Sequence, residues 1–98
     1  MNGGHFIRID FFLKQIGIFK TRNFSKVWFE KKWVYLENRP VKASHIIQKG
    51  DKITIEFPEK KIYLKILQVP TGKSLPKIMR NKMAQVEQFP KDIERNET

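Results

Sequence analysis

Cationic side chains are concentrated in one part of the sequence, between residues 20 and 49. Eight lysines and arginines lie there against two acids, Glu30 and Glu37. Arg22 and Lys26 are four positions apart, the spacing that brings two side chains to one side of a helix. Grouped guanidinium and ammonium groups bind phosphate oxygens, Arg through a planar two-pronged contact and Lys as a point charge. The chemistry that this segment predicts is the binding of a polyanion.

The whole chain has the same bias. Its 20 Lys and Arg against 10 Asp and Glu give a formal net charge of +10. RNA, DNA and anionic lipid can all balance such an excess, because neutralised phosphates release condensed counterions. A surface that only keeps the protein soluble is the less favoured alternative at this magnitude. Residues 50–72 hold four lysines against three acids, so we expect the positive charge to lie on one face.

Side chains suited to catalysis or metal binding are scarce. Cysteine is absent, the histidines are His5 and His45, and the acids are scattered. No glycine-rich loop is followed by Lys and Ser or Thr, as in phosphate-binding catalytic loops. The sequence therefore predicts no catalytic residue, no metal site and no cofactor, and His45 is interpreted as partly packed. Without an apolar run of about 18 residues or a signal-peptide core, a cytoplasmic protein with no membrane span is expected.

Two short helices are expected to position the cations. The first has apolar residues at the spacing i, i+3, i+4, i+7, namely Ile9, Phe12, Leu13 and Ile16. It should end at Gly17, and Asp10 in its first turn is interpreted as a capping residue that pairs with Arg8. Thr21 is the expected N-cap of a second helix that runs to about Lys31. The aromatic residues of both helices are interpreted as core rather than as base-stacking surfaces: Phe11, Phe12, Phe24, Trp28 and Phe29.

The pattern then changes to that of β-strands separated by turns. A strand over residues 33–36 is followed by the turn sequence Glu37-Asn38-Arg39-Pro40, and residues 48–51 form a second turn. Apolar and polar residues alternate over 53–57 and again over 62–69, as in half-buried strands. The sequence thus predicts an α+β fold, in which an N-terminal two-helix hairpin packs on a small, mostly antiparallel sheet and a C-terminal helix follows.

At 98 residues the chain is expected to form one domain with short extensions, and to be monomeric. Residues 1–7 are interpreted as a flexible leader and residues 8–70 as the folded domain. Residues 71–89 are expected to form a helical extension that docks through an apolar stripe of Leu75, Met79, Met83 and Val86. Residues 90–98 are charged and expected to be disordered.

The junctions between these elements resemble those of the RNA-binding domain named after ribosomal small-subunit protein four, the αL motif. The resemblance covers Arg8 to Phe57 and, as a spaced series, is more specific than a single short motif. The matching residues are Arg8-Ile9-Asp10, Leu13, Gly17, Thr21-Arg22, Ser25, Phe29, Val34, Arg39-Pro40-Val41-Lys42 and Lys49-Gly50-Asp51-Lys52-Ile53.

Within that family, the segment Phe19-Lys20-Thr21-Arg22 and the chain length are most similar to the ribosome-associated heat-shock proteins of fifteen kilodaltons and the ribosome quality control P factors. The resemblance implies non-catalytic binding of structured RNA, ribosomal or possibly transfer RNA, on the large ribosomal subunit. A basic module for an anionic membrane or an acidic protein surface is the alternative. The expected RNA-binding residues are Arg8, Lys14, Lys20, Thr21, Arg22, Lys26, Lys31, Lys32, Arg39, Lys42 and Lys49.

The sequence departs from the family pattern near residues 32–38. Lys32 stands where the family has a glycine at the end of the second helix, and Glu37-Asn38 stands where Asn-Gly is common. Glycine reaches positive φ without steric cost, so Lys32 predicts a strained or reshaped helix end. Asn38 tolerates positive φ better than most residues. Trp33 stands where a basic residue is frequent and is interpreted as a packing residue.

Overall fold

Two helices precede a five-stranded antiparallel sheet in the computed structural model, which describes residues 7–69 and 82–91. The elements are α1 (Ile9–Gln15), α2 (Arg22–Glu30), β1 (Val34–Leu36), β2 (Arg39–Pro40), β3 (Lys52–Glu56), β4 (Lys60–Ile66) and β5 (Ala84–Pro90). The strand order is β2-β1-β3-β4-β5, and every neighbouring pair is antiparallel. The predicted α+β fold, with a two-helix hairpin and an antiparallel sheet, is confirmed.

Alternation along the two central strands gives the sheet its buried face. Ile53 and Ile55 of β3 lie opposite Leu64 and Ile62 of β4, and all four side chains are at most 3% exposed. They form one hydrophobic core with the apolar side of the helical hairpin, where Phe12 is fully buried. Burial of these side chains is the main force that holds the hairpin against the sheet.

Local signals fix the ends of the helices as the sequence predicts. Gly17 follows the C-cap residue of α1, Ile16, and takes a φ of 86°, a conformation that glycine adopts without strain. Thr21 is the N-cap of α2, and its Oγ1 accepts a hydrogen bond from the backbone N–H of Phe24 at 2.9 Å. These two signals set the short connection that turns α2 back along α1.

The C-terminal end of α2 is a Schellman motif with a lysine in the glycine position. The Lys32 N–H donates to the Phe29 carbonyl at 3.1 Å, and the Trp33 N–H donates to the Trp28 carbonyl at 2.8 Å. Lys32 has a φ of 62°, as its replacement of the family's glycine predicts. The rings of Trp28 and Trp33 meet edge to face at 5.9 Å, the apolar contact that accompanies this motif.

Two consecutive residues at positive φ close the hairpin between β1 and β2. Glu37 has a φ of 51° and Asn38 a φ of 74°, which fits the two-residue turn that favours Asn-Gly. Glu37 is held there by β3, because its N–H donates to the Lys52 carbonyl at 3.0 Å and its carboxylate accepts from the Lys52 N–H at 3.1 Å. These two bonds offset the strain of a β-carbon at positive φ.

The sequence prediction for the C-terminal part is wrong where the structure describes it. Residues 84–90 form β5 and not a helix, and they pair with β4 through seven register positions. The backbone edge of β4 needs partners, and a ladder of this length outweighs a helical spacing of a few apolar residues. Val86, assigned to the helical stripe, lies opposite Leu64 and is 41% exposed. Residues 71–81 of the predicted helix lie outside the described residues.

The predicted disordered tail begins too early. Pro90 lies opposite Lys60 at the end of β5, and Lys91 donates its backbone N–H to the Glu59 carbonyl at 2.9 Å. The Lys91 ammonium contacts the Glu56 carboxylate at 2.9 Å. Pro90 and Lys91 are therefore held by the sheet, and the remainder of the predicted tail, residues 92–98, lies outside the described part of the chain.

We expect Lys32→Gly to stabilise the protein by about 0.5–1 kcal/mol, because glycine removes the strain of a β-carbon at positive φ. Lys31→Gly is the matched control, since it removes the same charge at a neighbouring residue whose φ is −84°. Urea unfolding should show the control less stable than the parent protein. Equal effects of the two substitutions would contradict the assignment of strain to residue 32.

We also expect Glu56→Gln to destabilise the protein in a pH-dependent way. Hydrogen bonding from Lys91 is the main factor that lowers the pKa of Glu56; partial burial opposes it, and Lys61, 3.1 Å away, adds to the lowering. A lowered pKa in the folded state stabilises the fold above the ordinary range of a carboxyl group, and that stabilisation is lost as the pH falls. The difference in the free energy of unfolding between the parent protein and the variant should therefore shrink as the pH falls from about 7 to about 3, measured by urea unfolding. Glu59→Gln is the control, and a deficit independent of pH would refute the linkage.

Candidate nucleic-acid interface

A groove of about 530 Å³ lies between α1 and the first turn of α2. It is lined by Arg8, Asp10, Phe11, Lys14, Thr21, Arg22, Asn23, Lys26 and Ala43. Five of the expected RNA-binding residues come together in it: Arg8, Lys14, Thr21, Arg22 and Lys26. We call this site, with four cationic side chains around the single carboxylate of Asp10, the cationic groove.

Asp10 is the buried residue that positions the two arginines of the cationic groove. Its side chain is 6% exposed, and it accepts hydrogen bonds from Arg8 Nε at 3.2 Å and Arg8 Nη2 at 3.0 Å. It also accepts one from Arg22 Nε at 3.3 Å. The predicted pair between Arg8 and Asp10 is confirmed, and the second arginine was not foreseen. A buried carboxylate is stable only with such partners, so these contacts fix both guanidinium groups.

The start of α1 is capped by a distant loop. The N–H groups of Ile9 and Asp10 donate to the carbonyls of His45 at 2.7 Å and Ala43 at 3.3 Å. The capping role that the sequence suggested for the Asp10 side chain thus falls to the backbone of residues 43–45. This loop also brings Ala43 to the wall of the groove. The interpretation of His45 as partly packed is wrong, because that residue is exposed.

Arg22 is both oriented and accessible. It is the first residue of α2, and its bond to Asp10 of α1 links the two helices of the hairpin. Its side chain nevertheless remains 45% exposed. A guanidinium group carries five N–H donors, of which a single one, Nε–H, makes this bond. A side chain already held in place loses less entropy when it binds a phosphate than a freely rotating lysine does.

The other six expected residues are exposed but do not line the groove. Lys20 and Lys42 are closest in the chain to it, next to Thr21 and Ala43 respectively. Lys31 and Lys32 follow α2 at its far end, Arg39 lies on the edge strand β2, and Lys49 lies in the turn before β3.

One of the aromatic residues assigned to the core, Phe24, does not follow the sequence interpretation. Phe12 and Phe29 are buried as expected, and Trp28 is partly buried with its Nε1–H donated to the Glu56 carbonyl at 2.9 Å. Phe24, however, is 52% exposed. The buried stripe of α2 is set by Ser25 and Phe29, and a rotation of about 100° per residue turns Phe24 away from it. Helical spacing alone did not show this, because Phe24 and Trp28 fit a buried stripe as well as Ser25 and Phe29 do.

Within residues 7–69 and 82–91, no group of three His, Asp or Glu side chains is placed to hold a metal ion. No helix in those ranges has both the length and the apolar character needed to cross a membrane.

Comparison with solved structures identifies a similar fold. The trimeric structure of heat shock protein 15 from Vibrio cholerae matches with a TM-score of 0.75, and the match covers 85% of this chain and 83% of that chain at 17% identity. The chain therefore has the fold of heat shock protein 15, and at this identity the likeness concerns the fold alone. No protein-family model matches the chain, and no curated protein matches it by sequence.

We expect Asp10→Asn to lower the free energy of unfolding by about 1–2 kcal/mol, because an amide accepts weaker hydrogen bonds and leaves two guanidinium groups uncompensated. Glu30→Gln removes an acid from the exposed side of α2 and should change stability by less than about 0.5 kcal/mol. Urea unfolding at neutral pH measures both. If the two variants were equally stable, Asp10 would not be the anchor of the groove.

Proposed function

We propose that this protein binds structured RNA without catalysing a reaction, and that the phosphate backbone lies in the cationic groove. The observation that carries the proposal is the convergence of Arg8 and Arg22 on the buried carboxylate of Asp10, with Lys14 and Lys26 beside them. The resemblance to the αL motif, whose matching residues include Arg8, Asp10 and Arg22, supports the same surface.

The groove suits the backbone of an RNA helix better than the edges of its bases. An A-form helix has a deep, narrow major groove that side chains cannot read, so recognition depends on the positions of phosphates and 2′-hydroxyl groups. Arg22 is proposed to hold a phosphate through two N–H donors, with Lys14 and Lys26 as point charges. Lys20 and Lys42 extend this field along the sides of the groove, and the remaining expected residues act at a distance.

The proposed RNA is ribosomal RNA, or transfer RNA, on the large ribosomal subunit, in ribosome rescue or quality control. The heat shock protein 15 fold and the net charge of +10 support this role. We propose that the protein acts in the cytoplasm, as a monomer and without a cofactor. Sedimentation with and without RNA tests the oligomeric state, since the structural neighbour is trimeric.

We expect Arg22→Ala with Lys26→Ala to weaken binding to a ribosomal RNA hairpin by about tenfold or more at low salt, because two phosphate contacts are lost. The slope of log affinity against log salt should fall by about 1.5. The charge-matched control is Lys52→Ala with Lys65→Ala, two exposed lysines that lie opposite each other on the strands β3 and β4. Fluorescence anisotropy measures the affinity, and circular dichroism checks that each variant is folded.

Unchanged RNA affinity in the folded groove variant would contradict the proposal. A parallel titration with anionic vesicles separates it from the membrane alternative. Binding to vesicles but not to RNA would reject RNA as the ligand.

A further inference from the structure

A second surface of α2 is apolar and exposed. One stripe along the helix, the aromatic stripe, consists of Phe24, Val27 and Trp28 at the spacing i, i+3, i+4. Lys31 follows it at i+7. Phe24 is 52% and Val27 45% exposed, and Phe24 is the most exposed large apolar side chain of the described residues. Exposing the apolar ring of Phe24 beside Val27 to water costs free energy, which suggests that this side of the helix has a binding role.

The stripe rests on a fixed aromatic cluster. The Phe24 ring lies 5.1 Å from the Trp28 ring, and Trp28 in turn lies 5.3 Å from Phe57 and 5.5 Å from the buried Phe19. The bond from Trp28 Nε1 to the Glu56 carbonyl holds the indole to the sheet. Aromatic rings held in this way offer a π surface at little cost in side-chain entropy.

Cations border the cluster. Lys31 Nζ lies 5.8 Å from the centre of the Trp33 ring, and Lys60 Nζ lies 5.5 Å from the centre of the Phe57 ring. Aromatic rings flanked by lysines are the combination that binds single-stranded nucleic acid, since bases stack on the rings while the lysines attract the phosphates. An apolar protein partner would have to desolvate these ammonium groups, so the charges favour a polyanion.

The aromatic stripe and the cationic groove lie on opposite flanks of the same helix. Successive residues of a helix are rotated by about 100°, so Phe24 points away from Arg22, whereas Lys26 projects from the same side as Arg22. A helix with its side chains is about 10–12 Å wide, a distance that a few nucleotides of single strand can cross. One RNA can therefore occupy both flanks if its duplex continues into an unpaired strand.

We propose that the stripe of Phe24, Val27 and Trp28 is a stacking platform for unpaired bases of the RNA whose phosphates occupy the cationic groove. This inference rests on the proposed function and narrows its ligand to a duplex that adjoins a single strand. Bases with a π face stack on aromatic side chains whatever their identity, so the platform selects for unpaired nucleotides and not for a sequence.

Three RNAs test the proposal: a blunt hairpin, the same hairpin with a short single-stranded overhang, and that overhang made abasic. Both tryptophans of the chain belong to the cluster, so quenching of tryptophan fluorescence reports on stacking there. The hairpin with the overhang should bind roughly 5- to 30-fold more tightly than the blunt hairpin and should quench the tryptophan fluorescence. The hairpin with the abasic overhang should do neither.

Phe24→Leu should abolish the gain from the overhang and leave binding to the blunt hairpin unchanged, and Phe24→Tyr should retain the gain. Phe89→Leu is the matched control, because Phe89 is 49% exposed on β5 and its ring contacts Tyr63, away from α2. It should behave as the parent protein does with all three RNAs. Circular dichroism checks that the leucine variants are folded.

A folded Phe24→Leu variant that keeps the full gain would overturn the stacking platform, as would equal quenching by the abasic overhang. In either case, binding of the blunt hairpin that depends on Arg22 and Lys26 would leave the proposed function standing. Failure of all three RNAs to bind would overturn both proposals, and the exposed stripe would then be assigned to a protein partner.

Discussion

The arrangement of the helical hairpin and of its two arginines depends on one buried negative charge, that of Asp10. Asp10 is almost inaccessible to water, and a carboxylate in that position is tolerated only when charged donors surround it. Arg8 supplies two of them and Arg22, from the other helix, supplies a third. The same contacts join the helical hairpin and hold two guanidinium groups beside each other at the surface. Without Asp10, the mutual repulsion of the two guanidinium groups would oppose the close arrangement that the proposed phosphate contact requires.

A single short helix serves three surfaces because its residues are divided among them by rotation. Ser25 and Phe29 face the core. Arg22 and Lys26 face the groove, and Phe24 faces the other flank. This division follows from the order of the residues along the helix, about 100° apart, and from the burial of Ser25 and Phe29 against the core.

Local features of the fold were predictable from the sequence, and contacts between distant residues were not. Periodicity and caps give both helices, and the substitution of a glycine by Lys32 correctly indicates a helix end at positive φ. The bond between Arg22 and Asp10 joins residues 12 apart, and no local pattern encodes it. Strand β5 was missed for a similar reason: its structure comes from the exposed edge of β4, and a few apolar residues at helical spacing gave a misleading local signal. The exposed side chain of Phe24 was missed because helical spacing alone does not say which stripe is buried.

The sheet supports the two proposed binding surfaces through its backbone and its edges rather than through its open face. The Glu56 carbonyl at the end of β3 holds Trp28, while the Glu56 carboxylate holds Lys61 of β4 and Lys91 after β5. One residue thus connects the last strand to the aromatic cluster. Because Glu56 contacts both Trp28 and Lys91, disruption of the end of β5 would weaken the contact that holds Trp28. The groove is supported separately by the loop that caps α1. The aromatic cluster is thus held by the sheet and the groove by the loop over residues 43–45, so we expect that each can be perturbed separately.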